Sequence, residues 1–191
     1  FTWAGRMGTA NTDNGASVTT DKQGNVYSIG NFEGLIDLDP GAAAVNFNSG
    51  TVPAFYISKL DADGNYVVAG NFTSVRGDGN RNRLARILTN GGLDSSFNPD
   101  ANGDVNTVLI LPDEKILVGG SFGAFAGSVQ SRTRLARLEK SGAVDQSFAQ
   151  EVNGTVNRLL LQADGKILVA GQFSEIGTLT RNRSEEHTSE L

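Results

Sequence analysis

Cysteine is missing from all 191 residues, and histidine nearly so, with His187 the single copy. The first absence excludes a disulfide framework, a thiolate metal site and a thiol nucleophile. It leaves the compartment open, because many exported bacterial proteins also lack cysteine. Nucleophilic triads and imidazole-based metal sites need a histidine, and His187 falls in the last nine residues, which are set aside from the fold below, so neither mechanism is expected. Basic charge is also short: 16 Lys and Arg stand against 21 Asp and Glu, a net charge of -5. No positive field therefore gathers phosphates or an anionic bilayer, and neither nucleic acid nor membrane insertion is expected. No run approaches the ~18 apolar residues of a membrane-crossing helix, and helical periodicity is absent throughout. Residue 1 is Phe, with no charged segment and apolar stretch before the first repeat, so no signal peptide is visible and the start reads as truncated.

Glycine and asparagine are abundant, at 24 and 17 residues. With roughly half of the residues apolar, this is a globular chain with many tight turns. It also repeats itself. Arg83-Leu84-Ala85-Arg86 returns as Arg134-Leu135-Ala136-Arg137, and Ser96-Phe97 returns as Ser147-Phe148, both 51 residues on. Asn102-Gly103-Asp104-Val105-Asn106 returns as Asn153-Gly154-Thr155-Val156-Asn157, and Lys115-Ile116-Leu117-Val118 as Lys166-Ile167-Leu168-Val169, at the same offset. Gly70-Asn71-Phe72, Gly120-Ser121-Phe122 and Gly171-Gln172-Phe173 mark three copies, and a looser earlier one holds Gly30-Asn31-Phe32.

Within one unit, Val105 to Leu111 and Lys115 to Gly119 read as a hairpin across Pro112-Asp113-Glu114. Arg134 to Glu139 is a third run, and Val144 to Phe148 a short fourth. Asp63-Gly64, Asn90-Gly91, Ser141-Gly142 and Asp164-Gly165 put Gly where tight turns need positive φ. Glu114 departs from that pattern, which implies either another turn type or mild strain. A unit of about 50 residues cannot bury both sheet faces alone and must stack on its neighbours. The fold class expected is all-β: an incomplete β-propeller of about three to four four-stranded antiparallel blades. Its blade-like units span about 3–60, 61–111, 112–162 and a partial 163–182, within one fragment, 1–182. Phe72, Phe97, Phe122, Phe148 and Phe173 are read as packing between blades.

From about residue 61 to 183 the chain resembles the delta-60 repeat family of bacterial β-propeller proteins. The matching features stand at Asp164 to Phe173, Arg132 to Leu138, Ser141 to Phe148 and Asn153 to Val156. Residues 3 to about 66 look like the SBBP repeat, another bacterial propeller unit, through Asp21 to Tyr27, Asp37-Leu38-Asp39-Pro40-Gly41 and Ala54 to Asn65. Both resemblances imply large exported or surface-attached bacterial proteins, secreted or at the cell surface, and neither brings a catalytic site with it. Arg183 to Leu191 is similar to a translated sequencing-library adapter and is set aside from the fold.

The remaining chemistry is sparse. Asp37 with Asp39, and Asp61 with Asp63, lie in turn-like sequence where Asp serves backbone hydrogen bonds. Asp61-Ala62-Asp63-Gly64-Asn65 has the alternate carboxylates of a Ca²⁺ loop, but position 72, where a bidentate Glu belongs, is Phe. Arg76, Arg81, Arg83 and Arg86 echo Arg132, Arg134 and Arg137. Such a cluster either faces an acidic glycan or lies over apolar sheet while pairing with turn carboxylates, and the second reading is preferred. Asn71-Phe72-Thr73 and Asn153-Gly154-Thr155 match glycosylation acceptors and are read as strand-end sequence. The functional expectation is a noncatalytic structural, adhesive or ligand-binding module, with no cofactor, no metal and no catalytic residue. Its partners would be other blades of the parent propeller, and surface protein or glycan. The alternative is part of a propeller-scaffold hydrolase, lyase or sugar dehydrogenase whose catalytic residues lie elsewhere. Uncovered blade faces should make the isolated chain self-associate or melt early.

Overall fold

The computed structural model describes residues 14–20, 26–32, 35–37, 46–48, 54–60, 63–75, 81–125, 133–177, 179–180 and 187–189. Side chains are described for residues 63–75, 81–125 and 133–177. The described elements are all β-strands, as the sequence predicts, and the chain divides into two compact units, Phe1–Asp100 and Ala101–Leu191.

The first unit contains β1 (Asn14–Thr20), β2 (Val26–Phe32), β3 (Leu35–Asp37), β4 (Asn46–Asn48), β5 (Ala54–Leu60), β6 (Tyr66–Gly70), β7 (Ser74–Val75) and β8 (Leu84–Ile87). Five of them form one antiparallel sheet in the order β1-β2-β5-β6-β8, and β3-β4-β7 form a smaller one. β5, in the segment resembling one repeat, pairs with β6, in the segment resembling the other, so the two segments share one sheet.

The second unit contains β9 (Val105–Ile110), β10 (Ile116–Gly120), β11 (Leu135–Leu138), β12 (Thr155–Leu161), β13 (Ile167–Gln172), β14 (Glu175–Ile176), β15 (Leu179–Thr180) and β16 (His187–Ser189). Its sheets run β11-β10-β9, β12-β13-β16 and β14-β15. The first two repeat each other in register. Leu117 faces Leu109 and Arg137, and 51 residues later Leu168 faces Leu160 and Thr188. Each also carries a bulge at the same place. Gly120 pairs with Val105 and Gly119 with Thr107, which leaves Asn106 out of the ladder; Val156 and Arg158 likewise skip Asn157. A bulge re-aims its extra side chain, and here it aims an Asn.

The apolar rows meet between these two sheets. Leu109, Leu117, Leu135 and Phe148 pack with Val152, Val156, Leu159, Ile167, Val169, Phe173 and Ile176 in one buried cluster. At about 2 kcal/mol for a fully buried Leu or Val, this contact outweighs the hydrogen bonds that accompany it. All five recurring phenylalanines are buried, with Phe122 edge-on to Phe125 at 4.7 Å.

Three features depart from the sequence reading. First, the fourth strand of a unit shrinks to a single bridge, Ile87 to Leu93 and Leu138 to Val144. The cause is the next residue. Asp94 and Asp145 each accept the N–H two residues on, from Ser96 and Ser147 at 2.9 Å, and this Asx turn ends the extended chain. Second, the unit edges expected at 60/61, 111/112 and 162/163 fall inside the β5–β6, β9–β10 and β12–β13 hairpins. Third, the backbone of His187–Ser189, in the segment set aside from the fold, pairs with Ile167–Val169 in the register β11 takes on β10. Backbone pairing to an open strand edge needs no particular side chain. Between the two readings of Glu114, the strained one holds. Its φ is 66°, beside 85° for Gly165 at the equivalent turn.

Candidate functional site

Both described copies of the Leu-Ala-Arg segment build the same side-chain clasp. β8 ends in a hairpin that returns the chain through the Ile87–Leu93 bridge, and this brings Asp94 alongside Arg86. Arg86 Nε and Nη2 donate to Asp94 Oδ2 at 2.9 and 2.6 Å, while Asp94 Oδ1 accepts from the Ser96 N–H at 2.9 Å and the Ser96 hydroxyl at 2.6 Å. The guanidinium lies over the Phe97 ring, 4.6 Å from its centre. Both carboxylate oxygens are therefore saturated, and the arginine is held by an ion pair and a ring face together.

The second copy repeats the plan and adds to it. Arg137 Nε donates to Asp145 Oδ2 at 2.8 Å, Ser147 supplies the same N–H and hydroxyl, and Arg137 lies 4.9 Å over Phe148. Lys115 Nζ also reaches Asp145 Oδ2 at 2.8 Å and Glu139 Oε1 at 2.9 Å. Burial pushes the Asp94 carboxyl up, but the bonds from Ser96 and Arg86 outweigh it and hold its pKa below the usual carboxylate value. The bonds from Lys115 and Ser147, and then Arg137, hold Asp145 far below that range, while Asp145 and Glu139 raise Lys115. Carboxylates so fully bonded keep their charge at neutral pH and have no proton to exchange, so the clasp holds a turn rather than performing acid–base chemistry.

Of the repeated arginines, Arg86 and Arg137 thus take the preferred reading, lying over a ring and paired with a turn carboxylate. Arg81 is buried as well, and donates to the carbonyls of Phe97 and Ser95, both at 2.9 Å. Arg76 and Arg132 lie outside the described residues. Arg83 and Arg134 are half-buried with φ of 64° and 65°. Each centres a tight γ-turn, closed by Leu84 N–H to Asn82 O and Leu135 N–H to Thr133 O, both at 2.8 Å. Non-glycine residues in this region cost about 1–3 kcal/mol, so the surrounding strands impose it twice. Asp37 closes β3, Asp63 is exposed, and Asp39 and Asp61 lie outside the described residues. Among the described residues no three acidic, His or Cys side chains could hold a metal.

A second repeated device escaped the sequence reading. Asn102 Oδ1 accepts the N–H groups of Gly123 and Ala124 at 2.8 and 2.9 Å, and Asn153 Oδ1 those of Ser174 and Glu175 at 2.9 and 3.1 Å. Asn153 Nδ2 also donates to Ser174 Oγ at 3.0 Å. The following Gly is obligatory, because a Cβ at Gly154 would collide with the Gln172 carbonyl. Asn153-Gly154-Thr155 is therefore a loop clamp whose amide is already occupied, not an open glycosylation acceptor. The return of Asn-Gly at a spacing of 51 was the available signal.

Repeated three-stranded antiparallel sheets, stacked through one apolar face and locked by the same turn chemistry, define a β-propeller repeat protein. The chain belongs to the family described as domain of unknown function (DUF5122) beta-propeller. Its model matches residues 62–97, 111–148 and 162–183, just over half of the chain. With the all-β sheets above, this makes the fold an incomplete β-propeller. The first two matches contain the whole of each clasp, Arg86 to Phe97 and Arg137 to Phe148. No curated protein and no solved structure matches the chain.

Proposed function

We propose that this chain is a noncatalytic repeat module, structural or adhesive in role, that presents loops for protein or glycan contact on an exported or surface-attached bacterial protein. The observation that carries this reading is the clasp. The polar residues that recur from copy to copy, Arg86 with Asp94 and Arg137 with Asp145, are bonded to one another in the turns. A fold that spends its repeated charges on holding turns fits a scaffold, and the sequence between the repeats is then free to vary for recognition. Secretion or surface attachment rests on the resemblance to bacterial propeller repeats alone. Screening the chain against glycosidic, ester and sugar-oxidation substrates should give no turnover, while arrays of glycans and surface proteins should give a binder. Turnover lost on substituting a single carboxylate would overturn the proposal in favour of a propeller-scaffold enzyme.

A further inference from the structure

Asparagine is chemically labile where glycine follows it, because no Cβ hinders attack of the glycine nitrogen on the side-chain amide. Three such pairs have described side chains, and each holds the reacting atoms differently. At Asn90 the nucleophile is tied down. The Gly91 N–H donates to the Leu88 carbonyl at 2.9 Å, and Asn90 Oδ1 has one donor, the Gly92 N–H at 2.8 Å. At Asn153 the leaving group is held instead, with Nδ2 donating to Ser174 Oγ at 3.0 Å. At Asn102 neither is held. Among the described residues no acceptor meets the Gly103 N–H or Asn102 Nδ2. Asn102 Oδ1 nevertheless keeps the Gly123 and Ala124 N–H groups at 2.8 and 2.9 Å, and the residue is exposed. The fold also retains the unhindered residue here, since a Cβ at Gly103 would stand 2.8 Å from Phe122 Cα.

We propose that Asn102 is a self-modification site, at which the chain converts its own side-chain amide to a carboxylate through a succinimide. The Gly103 nitrogen gives up its proton to solvent base and bonds to Asn102 Cγ. The Cγ–Nδ2 bond then breaks, and Nδ2 takes a proton from water and leaves as ammonia. Water opens the five-membered ring to aspartate or isoaspartate, and nothing is oxidised or reduced. The two N–H groups on Oδ1 sit where the oxygen of the tetrahedral intermediate gathers negative charge, the arrangement of an oxyanion hole. Asn102 Nδ2 is open to protonation by water, whereas the bond to Ser174 keeps Asn153 Nδ2 a donor. Aspartate preserves the clamp, because a carboxylate oxygen accepts both N–H groups. Isoaspartate lengthens the main chain by one carbon and opens it. Either product adds a negative charge to an exposed loop, whatever the loops bind.

Incubation of the full chain at mildly alkaline pH, followed by peptide mapping with mass spectrometry, reads the conversion of amide to carboxyl at all three sites. Asn102 should convert about tenfold faster than Asn90, with Asn153 between them. Ser174→Gly, which places at 174 the residue found at the equivalent Gly123, should bring Asn153 up to the rate of Asn102. In concentrated urea the three sites should react alike, because the ranking comes from the fold and not from the shared Asn-Gly sequence. Asn102 reacting no faster than Asn90 in the folded chain would overturn the inference. So would the same ranking in urea, or an Asn153 rate unmoved by Ser174→Gly.

Discussion

The two clasps place the same aspartate in different electrostatic company. In the first, Arg86 is the cation bonded to Asp94, and the two side chains are 10% and 12% exposed. In the second, Asp145 is 5% exposed but its cations are wetter, Arg137 at 22% and Lys115 at 26%, and Glu139 joins them. Two positions make the difference. Lys115 replaces Asn65, whose side chain instead accepts the Thr89 N–H at 3.2 Å, and Glu139 replaces Leu88. The repeat thus specifies a carboxylate that closes the Asx turn, and it tolerates either one buried cation or two half-exposed ones to neutralise it.

The comparison breaks most sharply at the carboxylates. Asp94→Ala removes the carboxylate bonded to a buried guanidinium and opens the Asx turn, and should cost about 3 kcal/mol. Asp145→Ala should cost less, since Arg137 and Lys115 can turn to water. Urea unfolding of the full chain measures both, and a larger loss at Asp145 would mean that cation number, not burial, sets the value of the clasp. Replacing the pair together, Arg86→Met with Asp94→Leu, should recover most of the loss.

Acid should rank the two clasps in the same way. A carboxyl whose folded pKa is lowered contributes stability that is full above its unfolded value, near 3.9, and lost as pH falls through the folded one. Asp145 is held lower than Asp94, so the first clasp should open first on acidification below about pH 4. Carboxyl titration by NMR would show this, and simultaneous opening would contradict it. Lys115 behaves in the opposite sense. Its raised value means that its contribution is intact below its unfolded pKa, near 10.4, and disappears at higher pH.

The loop clamps sharpen the comparison by being alike. Asn102→Ala and Asn153→Ala each leave two backbone N–H groups to water, and each should lose about 1 kcal/mol, within error of one another. Unequal losses would mean that the copies differ in more than their charged residues.

Much of this arrangement was legible in the chain. The offset of 51 located the strands and Gly-bearing turns, and it put the phenylalanines in the core. The preferred reading of Arg86 and Arg137 as side chains over apolar surface with turn carboxylates was also available. Which carboxylate each arginine meets was not. Asp94 and Asp145 lie eight residues downstream, and only the one-bridge return through Leu93 and Val144 sets that register. The fourth strand was overestimated for the same reason, because the Asx turn that ends it looks like ordinary strand-end sequence. Lys115 was invisible as a partner of Asp145, since 30 residues and two turns separate them. The backbone pairing of His187–Ser189 left no trace in side-chain pattern.

The smallest expected effect concerns the one hairpin turn that dispenses with glycine at its positive-φ position among the described residues. Glu114 holds φ of 66° where Gly64 and Gly165 hold 83° and 85°, yet the turn closes in the same way, with Glu114 N–H donating to Leu111 O at 2.9 Å and Gly165 N–H to Gln162 O at 3.1 Å. The strain is about 1 kcal/mol, and the exposed pair from Lys140 to Glu114 at 2.8 Å returns at most a few tenths. Glu114→Gly should therefore stabilise the second unit by somewhat under 1 kcal/mol, after allowing for the freer unfolded chain. Lys140→Met should change almost nothing. If Glu114→Gly destabilises the chain and Lys140→Met does so equally, the surface pair, rather than the backbone, holds this turn, and the second copy would then carry two charge-based locks where the first carries one.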